Sequence, residues 1–281
     1  MAIGNYWECV LPEGTGTPPL QRIVGETTPM AQQHFPSWRF GPESEDLGGA
    51  DFACMGFATG DMRAIVHLVK PLGRPNFYLH SAFPWLAAGA PARLRLHDSD
   101  TNHFGLEGFV NAGVADGPSV GFFDPLYALN KGKYRVGSEH NFTLAAVSLD
   151  LKLATPEPLR ITNPETVAEM REAERAATGE AWSRPDYVEV DASRAQDLMP
   201  AAQDAPDYYI FQGPVRTIRK TDFLDRPFLV FRTAVVHLDA DDLAVDIYVD
   251  RARFGSHVIP TAGDMVTGTL WLQGCLAGEG Q

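Results

Sequence analysis

The sequence predicts a mainly β protein made of two related barrel-like or sandwich-like lobes with a short helical insertion between them. Residues 122–144 are similar to residues 248–270, since Asp124 aligns with Asp250 and Gly137 with Gly263 at one constant spacing. Short apolar runs of strand length also recur along the whole chain. The 26 glycines and 21 prolines interrupt these runs at short intervals, which is typical of sandwiches and barrels.

The first predicted lobe covers residues 1–154. Its clearest strand lies at residues 93–97, where polar and apolar side chains alternate as in a half-buried strand. In both similar segments an apolar strand ends at an acidic residue. A loop with basic and aromatic residues follows, and a glycine-polar turn then leads into another apolar strand. The pattern predicts one β supersecondary unit that is used twice.

Residues 155–207 are predicted to form an acidic insertion with one helix. Asn163 can cap a helix that has Pro164 at its first position, and Gly179 is a typical C-terminal stop. The remainder is polar and contains several prolines, as in exposed linkers. This insertion is interpreted either as a linker or as a docking surface or lid over the second half.

The second predicted lobe covers residues 208–281. Its last strand follows a Gly263-Asp264 turn and contains further glycines, which permit the close approach and bending that a small barrel requires. In fold only, this segment resembles an OB-type or similar small β-barrel. Such a likeness carries no function with it. The sequence leaves open whether the two lobes form one domain or two.

Charge and composition limit the classes of partner and location. The formal net charge of −13 disfavours a broad nucleic-acid surface. The three cysteines, Cys9, Cys54 and Cys275, form no CxxC pair, so neither a disulfide framework nor a thiolate zinc site is expected. No secretory signal is visible, and the longest uncharged run, residues 75–92, contains three prolines. We therefore expect a cytoplasmic protein without a membrane segment.

One cluster of metal-ligand residue types lies between the predicted strands of the first lobe. Carboxylates can bind hard cations, and two histidines with one aspartate suit zinc or iron. Aspartate and asparagine are equally favoured in hairpin turns, because they bond their own backbone. The cluster is therefore interpreted as a turn or, alternatively, as a metal site formed by His97, Asp98, Asp100 and His103.

The two aligned acids, Asp124 and Asp250, permit a similar choice between structure and chemistry. They would form a catalytic carboxylate pair if they converged, or they end their strands in ordinary turns. The sequence contains no G-x-S-x-G motif, no P-loop and no G-x-G-x-x-G followed by a helix. No complete catalytic constellation is therefore predicted.

The loops after the two acids give the preferred site prediction. Both loops mix cations with aromatic rings, a combination that binds anions, bases or sugars. The same residues are also compatible with two solvated hairpin loops. The predicted binding residues are Tyr127, Lys131, Lys133, Tyr134, Arg135, Arg251, Arg253, Phe254 and His257.

These observations predict a non-enzymatic binding or interaction protein, a subunit or adaptor of a larger assembly with a protein partner. Unpaired edge strands would also permit a homo-oligomer. The first alternative is a metal-dependent hydrolase centred on the cluster from His97 to His103, and a metal ion is the one cofactor it implies. A second alternative is single-stranded nucleic-acid binding by the small barrel.

Overall fold

A computed structural model describes most of the chain. The described residues are 7, 10, 38–40, 51–71, 73–76, 78–101, 106–114, 117–148, 150–155, 159–179, 187–190, 195–202, 205–223, 226–238, 242–254 and 258–278. For residues 38–40, 51–59, 159 and 190 this description is limited to the backbone.

The first half contains two groups of strands. Strands β1 (Trp38–Phe40), β2 (Asp51–Thr59), β3 (Met62–Lys70) and β4 (Tyr78–Leu86) form an antiparallel sheet in chain order. The next elements are β5 (Ala90–Thr101), β6 (Gly108–Gly113), β7 (Ser119–Asp124), helix α1 (Tyr127–Asn130), β8 (Glu139–Ser148) and β9 (Lys152–Leu153).

The insertion and the second half follow. The insertion contains β10 (Leu159–Ile161), helix α2 (Pro164–Thr178) and β11 (Val188–Val190), with β10 and β11 paired antiparallel. The second half contains β12 (Asp197–Ala202), β13 (Ala205–Phe223), β14 (Arg226–Val236), β15 (Leu243–Asp250), a 3₁₀ helix (Arg251–Phe254) and β16 (Met265–Leu276).

Eight strands close into one β-barrel. The order around the barrel is β13-β14-β15-β8-β5-β6-β7-β16, and pairing of β16 with β13 completes the ring. The pairings are antiparallel except for β15 with β8 and β16 with β7. The prediction of a mainly β, barrel-like protein is confirmed. Within the described residues, no helix has the length and apolar character needed to span a membrane.

The two halves share this barrel: the second half supplies β13 to β16, and the other four barrel strands come from the first half. Among the described residues, β13 to β16 do not close a ring of their own. The reason lies in β16, which pairs with β13 along its first part and with β8 along its second part. In that second pairing Leu272 lies opposite Ala146.

Alternate residues of the barrel strands serve two different cores. Phe122 points into the barrel, where its ring centroid lies 5.1 Å from that of Phe142. The next residue, Phe123, points outward and is covered by Phe83 of β4 at 4.9 Å. The four-stranded sheet therefore packs on the outside of the barrel. Because both faces of β7 are buried, its apolar residues do not alternate with polar ones.

A polar network also fastens the sheet to the barrel. The Asp61 carboxylate, in the turn before β3, forms an ion pair with Arg219 of β13. Arg219 donates to the Tyr248 hydroxyl at 2.9 Å and lies 3.4 Å from buried Asp246. Arg232 donates to the same Asp246 carboxylate at 2.7 Å and 3.1 Å. The buried Asp246 carboxylate thus has two guanidinium partners, as a buried charge requires.

Helix α2 begins and ends as the sequence predicts. The Asn163 Oδ1 atom accepts from the backbone N–H groups of Glu165 and Thr166 at 2.9 Å and 3.2 Å. Gly179 ends the helix with a φ of 74°, in the left-handed region that favours glycine. Val167 is the buried residue of this helix, so most of its surface faces solvent.

Candidate binding site

The turn after β7 is organised around the buried carboxylate of Asp124. This carboxylate accepts hydrogen bonds from the Leu126 backbone N–H at 2.8 Å, the Asn130 amide at 2.9 Å and the Tyr134 hydroxyl at 2.5 Å. Burial raises the pKa of Asp124 to about 6, although the three donors oppose this rise. Asp124 therefore holds helix α1 against the end of its strand.

Asp250 occupies the corresponding place after β15. It accepts from the Ala252 backbone N–H at 2.9 Å and forms an ion pair with Arg226. Arg226 also donates to the Val10 carbonyl at 3.0 Å. Each aspartate thus caps the helical turn that follows it. This arrangement favours the interpretation of the two acids as strand-ending turns.

The aromatic rings of both predicted loops point inward. Tyr127 and Tyr134 are buried with ring centroids 5.8 Å apart, and Phe254 is buried 5.9 Å from Phe231. Burial of these rings anchors the loops to the barrel, because a buried ring removes a large apolar area from contact with water. The sequence had led us to expect rings that stack on a ligand. The buried rings are not placed to do so.

The cations of the same loops remain at the surface. We call the loop after Asp124 the first corner of the molecule and the loop after Asp250 the second corner. The lysine and arginine side chains of both corners are exposed to solvent. His257 lies outside the described residues. The predicted site thus retains its charges but not its exposed rings, and the exposed cations are Lys131, Lys133, Arg135, Arg251 and Arg253.

A pocket of about 490 Å³ lies beside the second corner. Its volume falls within the range of ordinary ligand sites, which is about 300–1,000 Å³. One wall comes from the segment that joins β8 to β9, and the other comes from the end of β15 and the residues after it. The lining residues are Asp150, Leu151, Lys152, Leu153, Val249, Arg253, Phe254 and Val258.

A one-residue shift in the pairing with β16 forms the first wall. Asp150 lies in this shift, and its carboxylate accepts from the Thr269 backbone N–H at 2.6 Å. Gly268 permits the close approach, since a Cβ atom there would lie 3.0 Å from Asp150 Oδ1 and 3.1 Å from Leu151 Cα. Beyond the shift, β9 pairs with β16, whereas β15 pairs with β8 only at residues 145–147. The pocket lies where β9 and β15 part.

The pocket has an apolar floor and a charged rim. Leu151, Val249 and Phe254 are buried and belong to the barrel core. Lys152 and Arg253 are exposed at the rim, and Leu153 and Val258 present apolar side chains that are 40% and 73% exposed. The site therefore offers apolar contact and a rim that carries two cations and the Asp150 carboxylate, on a chain of net charge −13.

Three residues of the predicted metal cluster lie on β5, and their side chains form hydrogen bonds with nearby residues. His97 Nδ1 lies 2.9 Å from the Ser119 hydroxyl oxygen. Asp98 and Asp100 each accept a hydrogen bond from the backbone N–H of the following residue, at 2.8 Å and 2.7 Å. His103 lies outside the described residues. Among the side chains that the structure does describe, no three His, Cys, Asp or Glu residues converge to hold a metal ion.

His67 and Ser81 of the four-stranded sheet contact Glu107, which precedes β6, in a geometry that is structural. His67 is fully buried, and its Nδ1 atom lies 3.1 Å from Ser81 Oγ and 3.7 Å from Glu107 Oε1. Both contacts use the same ring nitrogen, whereas a relay requires one partner on each nitrogen. Burial would raise the Glu107 pKa, but hydrogen bonds with His67 and Ser81 and the charges of the nearby histidines lower it overall.

Sequence reasoning identified one wall of the pocket and missed the other. Arg253 and Phe254 were predicted as binding residues, and both line it. Residues 150–153 were not predicted, because their role depends on a shift in pairing with a strand more than a hundred residues away. The alternating pattern from Asp150 to Leu153 was a usable signal for a short strand at an edge.

The chain matches no protein-family model, no curated protein and no solved structure. The fold and pocket themselves define the class: a closed eight-stranded β-barrel with a four-stranded sheet on its outside and a cleft between barrel strand β15 and the short strand β9.

Proposed function

We propose that this chain is a non-enzymatic binding protein, a subunit or adaptor that holds a partner protein in the pocket between β9 and β15. The single observation that carries the proposal is the combination of an apolar floor with the exposed cations Lys152 and Arg253. Buried apolar contact supplies most of the affinity in such a site, and the charges select an anionic partner and its orientation.

The internal similarity supports this choice of corner. In our interpretation the two halves are copies of a β-β-β-turn-β unit. Each copy places an aspartate before a helical turn, and the later Gly137 and Gly263 both have positive φ, at 81° and 94°. The returning strand then pairs with the first strand of its own unit, β8 with β5 and β16 with β13.

The two copies differ at the pocket. In the first corner Leu126 and Ala128 pack beside Cys275 of β16 in one buried cluster with Trp85 of the outer sheet. In the second corner the corresponding space is the open pocket. A place that one copy fills with its own side chains and the other leaves open is a natural docking site.

The proposal also includes the cytoplasm as the location. Cys275 is a buried cysteine, which suits a reducing compartment. The exposed cations of the first corner, Lys131, Lys133 and Arg135, form a second charged surface in this proposal and contribute to the rate of association more than to its strength.

Site-specific photo-crosslinking in the native host tests the proposal. A photoreactive amino acid replaces Leu153 or Val258 at the pocket rim, and Tyr78 serves as the control because it is 51% exposed on β4 of the outer sheet. We expect one discrete crosslinked protein from positions 153 and 258 and none from position 78. Equal products from all three positions, or no product from the rim, would refute the docking site.

A pair of charge reversals separates the two corners. Lys152→Glu with Arg253→Glu should abolish the crosslink from a probe at position 258, whereas Lys131→Glu with Lys133→Glu should reduce its rate of formation and leave its final yield. If the first pair has no effect, the rim cations do not take part in binding.

A further inference from the structure

We infer that the partner enters the pocket as an extended segment with alternating apolar and acidic side chains, and that it pairs as an added strand with β9. This inference rests on the proposed function. It adds the conformation of the bound segment, the backbone groups that bind it and the chemistry of its side chains.

The backbone of β9 faces the pocket with an unpaired edge. Ala154 donates its N–H to the Met265 carbonyl at 2.9 Å, so the backbone groups of Ala154 point toward β16. Successive residues of a strand turn their N–H and C=O groups to opposite sides. Leu153 therefore turns its N–H and C=O away from β16, toward the side on which β9 and β15 part. Within the described ranges no strand pairs with this edge.

The position of β15 leaves room for an added strand. Its register with β8 ends at Tyr248 opposite Val147, and the chain then turns into the 3₁₀ helix after Asp250. The pocket occupies the space between this end and β9. An extended segment in that space would continue the sheet, which is the mode of recognition known as β-augmentation.

The side-chain preferences follow from the walls. An apolar side chain of the segment would contact Leu151 and Phe254 on the floor, as Leu126 and Ala128 fill the first corner from within the chain. The next side chain along a strand points to the opposite face. There it would meet the exposed rim with Lys152 and Arg253, where a carboxylate is complementary in charge.

Fluorescence anisotropy with short labelled peptides tests the inference on the full-length protein. The probe is a capped hexapeptide of alternating valine and glutamate. One control peptide replaces glutamate by lysine, and a second keeps the glutamates but has N-methylated valine amides. We expect saturable binding of the first peptide and affinity at least about tenfold weaker for each control, because each loses a charge pair or a backbone hydrogen bond.

Matched protein variants locate the contact. Leu153→Pro removes the N–H that faces the pocket, whereas Leu153→Val keeps it and retains an apolar side chain. We expect about a tenfold loss of peptide affinity for the proline variant only. Arg253→Glu should weaken binding similarly, and Lys220→Glu, an equal charge change at an exposed position of β13, should not. Thermal denaturation of each variant checks that the fold is retained.

The outcomes separate this inference from the proposed function. Equal binding of the N-methylated and unmodified peptides would overturn strand addition, and competition by decanoate would then identify a small amphiphilic carboxylate as the ligand. Absence of binding by every peptide, with crosslinking from position 153 intact, would overturn the extended segment but keep the docking site. Absence of that crosslink would refute the proposed function itself.

Discussion

Replacement of Asp124 by Asn should destabilise the protein much less at pH 8 than at pH 4. Asp124 is fully buried, and its pKa is raised from 3.8 to about 6. The folded state therefore binds a proton more tightly than the unfolded state between these values. The contribution of Asp124 to stability is present below pH 3.8 and is lost as the pH rises through 6.

The magnitude follows from the size of the shift. One pKa unit corresponds to about 1.4 kcal/mol, so the Asp124 contribution changes by roughly 2–3 kcal/mol between pH 4 and pH 8. At pH 4 the Asn variant lacks one acceptor for the three donors around it, which costs roughly 1–3 kcal/mol. At pH 8 the wild-type protein carries the cost of a buried charge, and the variant does not.

Urea denaturation at the two pH values measures this difference. The change in unfolding free energy caused by Asp124→Asn should be less unfavourable at pH 8 by roughly 2–3 kcal/mol. Asp264→Asn is the control of opposite sign: hydrogen bonds from Thr261 lower the Asp264 pKa, so its contribution is present above the unfolded pKa and is lost at low pH. An equal effect of Asp124→Asn at both pH values would refute the claim that burial raises the pKa of Asp124.

Three further predictions concern packing, the sheet junction and metal. Gly268→Ala should lower the free energy of unfolding by about 1–3 kcal/mol, because the added Cβ atom overpacks against Asp150. Gly132→Ala should be neutral, because nothing lies within 4 Å of its Cβ position. Equal thermal midpoints for the two variants would contradict the close approach of Gly268 to Asp150. Asp246→Ala should cost about 3–5 kcal/mol in denaturant unfolding, because two arginines lose their shared partner, and a loss below about 1 kcal/mol would mean that solvent already screens them. Added zinc or manganese should shift the thermal midpoint by less than about 1 °C, and a rise of several degrees that Asp98→Ala removes would support the metal-dependent alternative.

Local rules were sufficient for several elements of the fold. The cap at Asn163, the stop at Gly179 and the aspartate-ended strands depend on neighbouring residues, and each takes the form that its local sequence indicates. A barrel-like fold could also be predicted, because short apolar runs between glycines and prolines favour curved antiparallel sheets.

Long-range pairing was not accessible in the same way. The joint barrel depends on β16 pairing with β13 on one edge and with β9 and β8 on the other, and no local pattern encodes these pairings. The apolar pair Phe122 and Phe123 does not alternate with polar residues because the barrel buries one ring and the outer sheet buries the other.

The candidate site was predictable only in part for the same reason. Arg253 could be read from the sequence and Lys152 could not, and the direction of the Phe254 ring depends on the free volume at the barrel end. Phe254 was expected at the surface but packs against Phe231, because the barrel core offers it more apolar contact than solvent does. The Asp150 wall required knowledge of the shifted register with β16.

Hydrogen exchange at two adjacent backbone amides tests the central claim most directly. Ala154 N–H is bonded to Met265 in the free protein, so it should exchange slowly with and without a partner. Leu153 N–H faces the pocket and should exchange fast in the free protein and become protected when the crosslinked partner or the acidic peptide is bound. Binding that leaves Leu153 exchange unchanged would contradict the docking of a segment on β9.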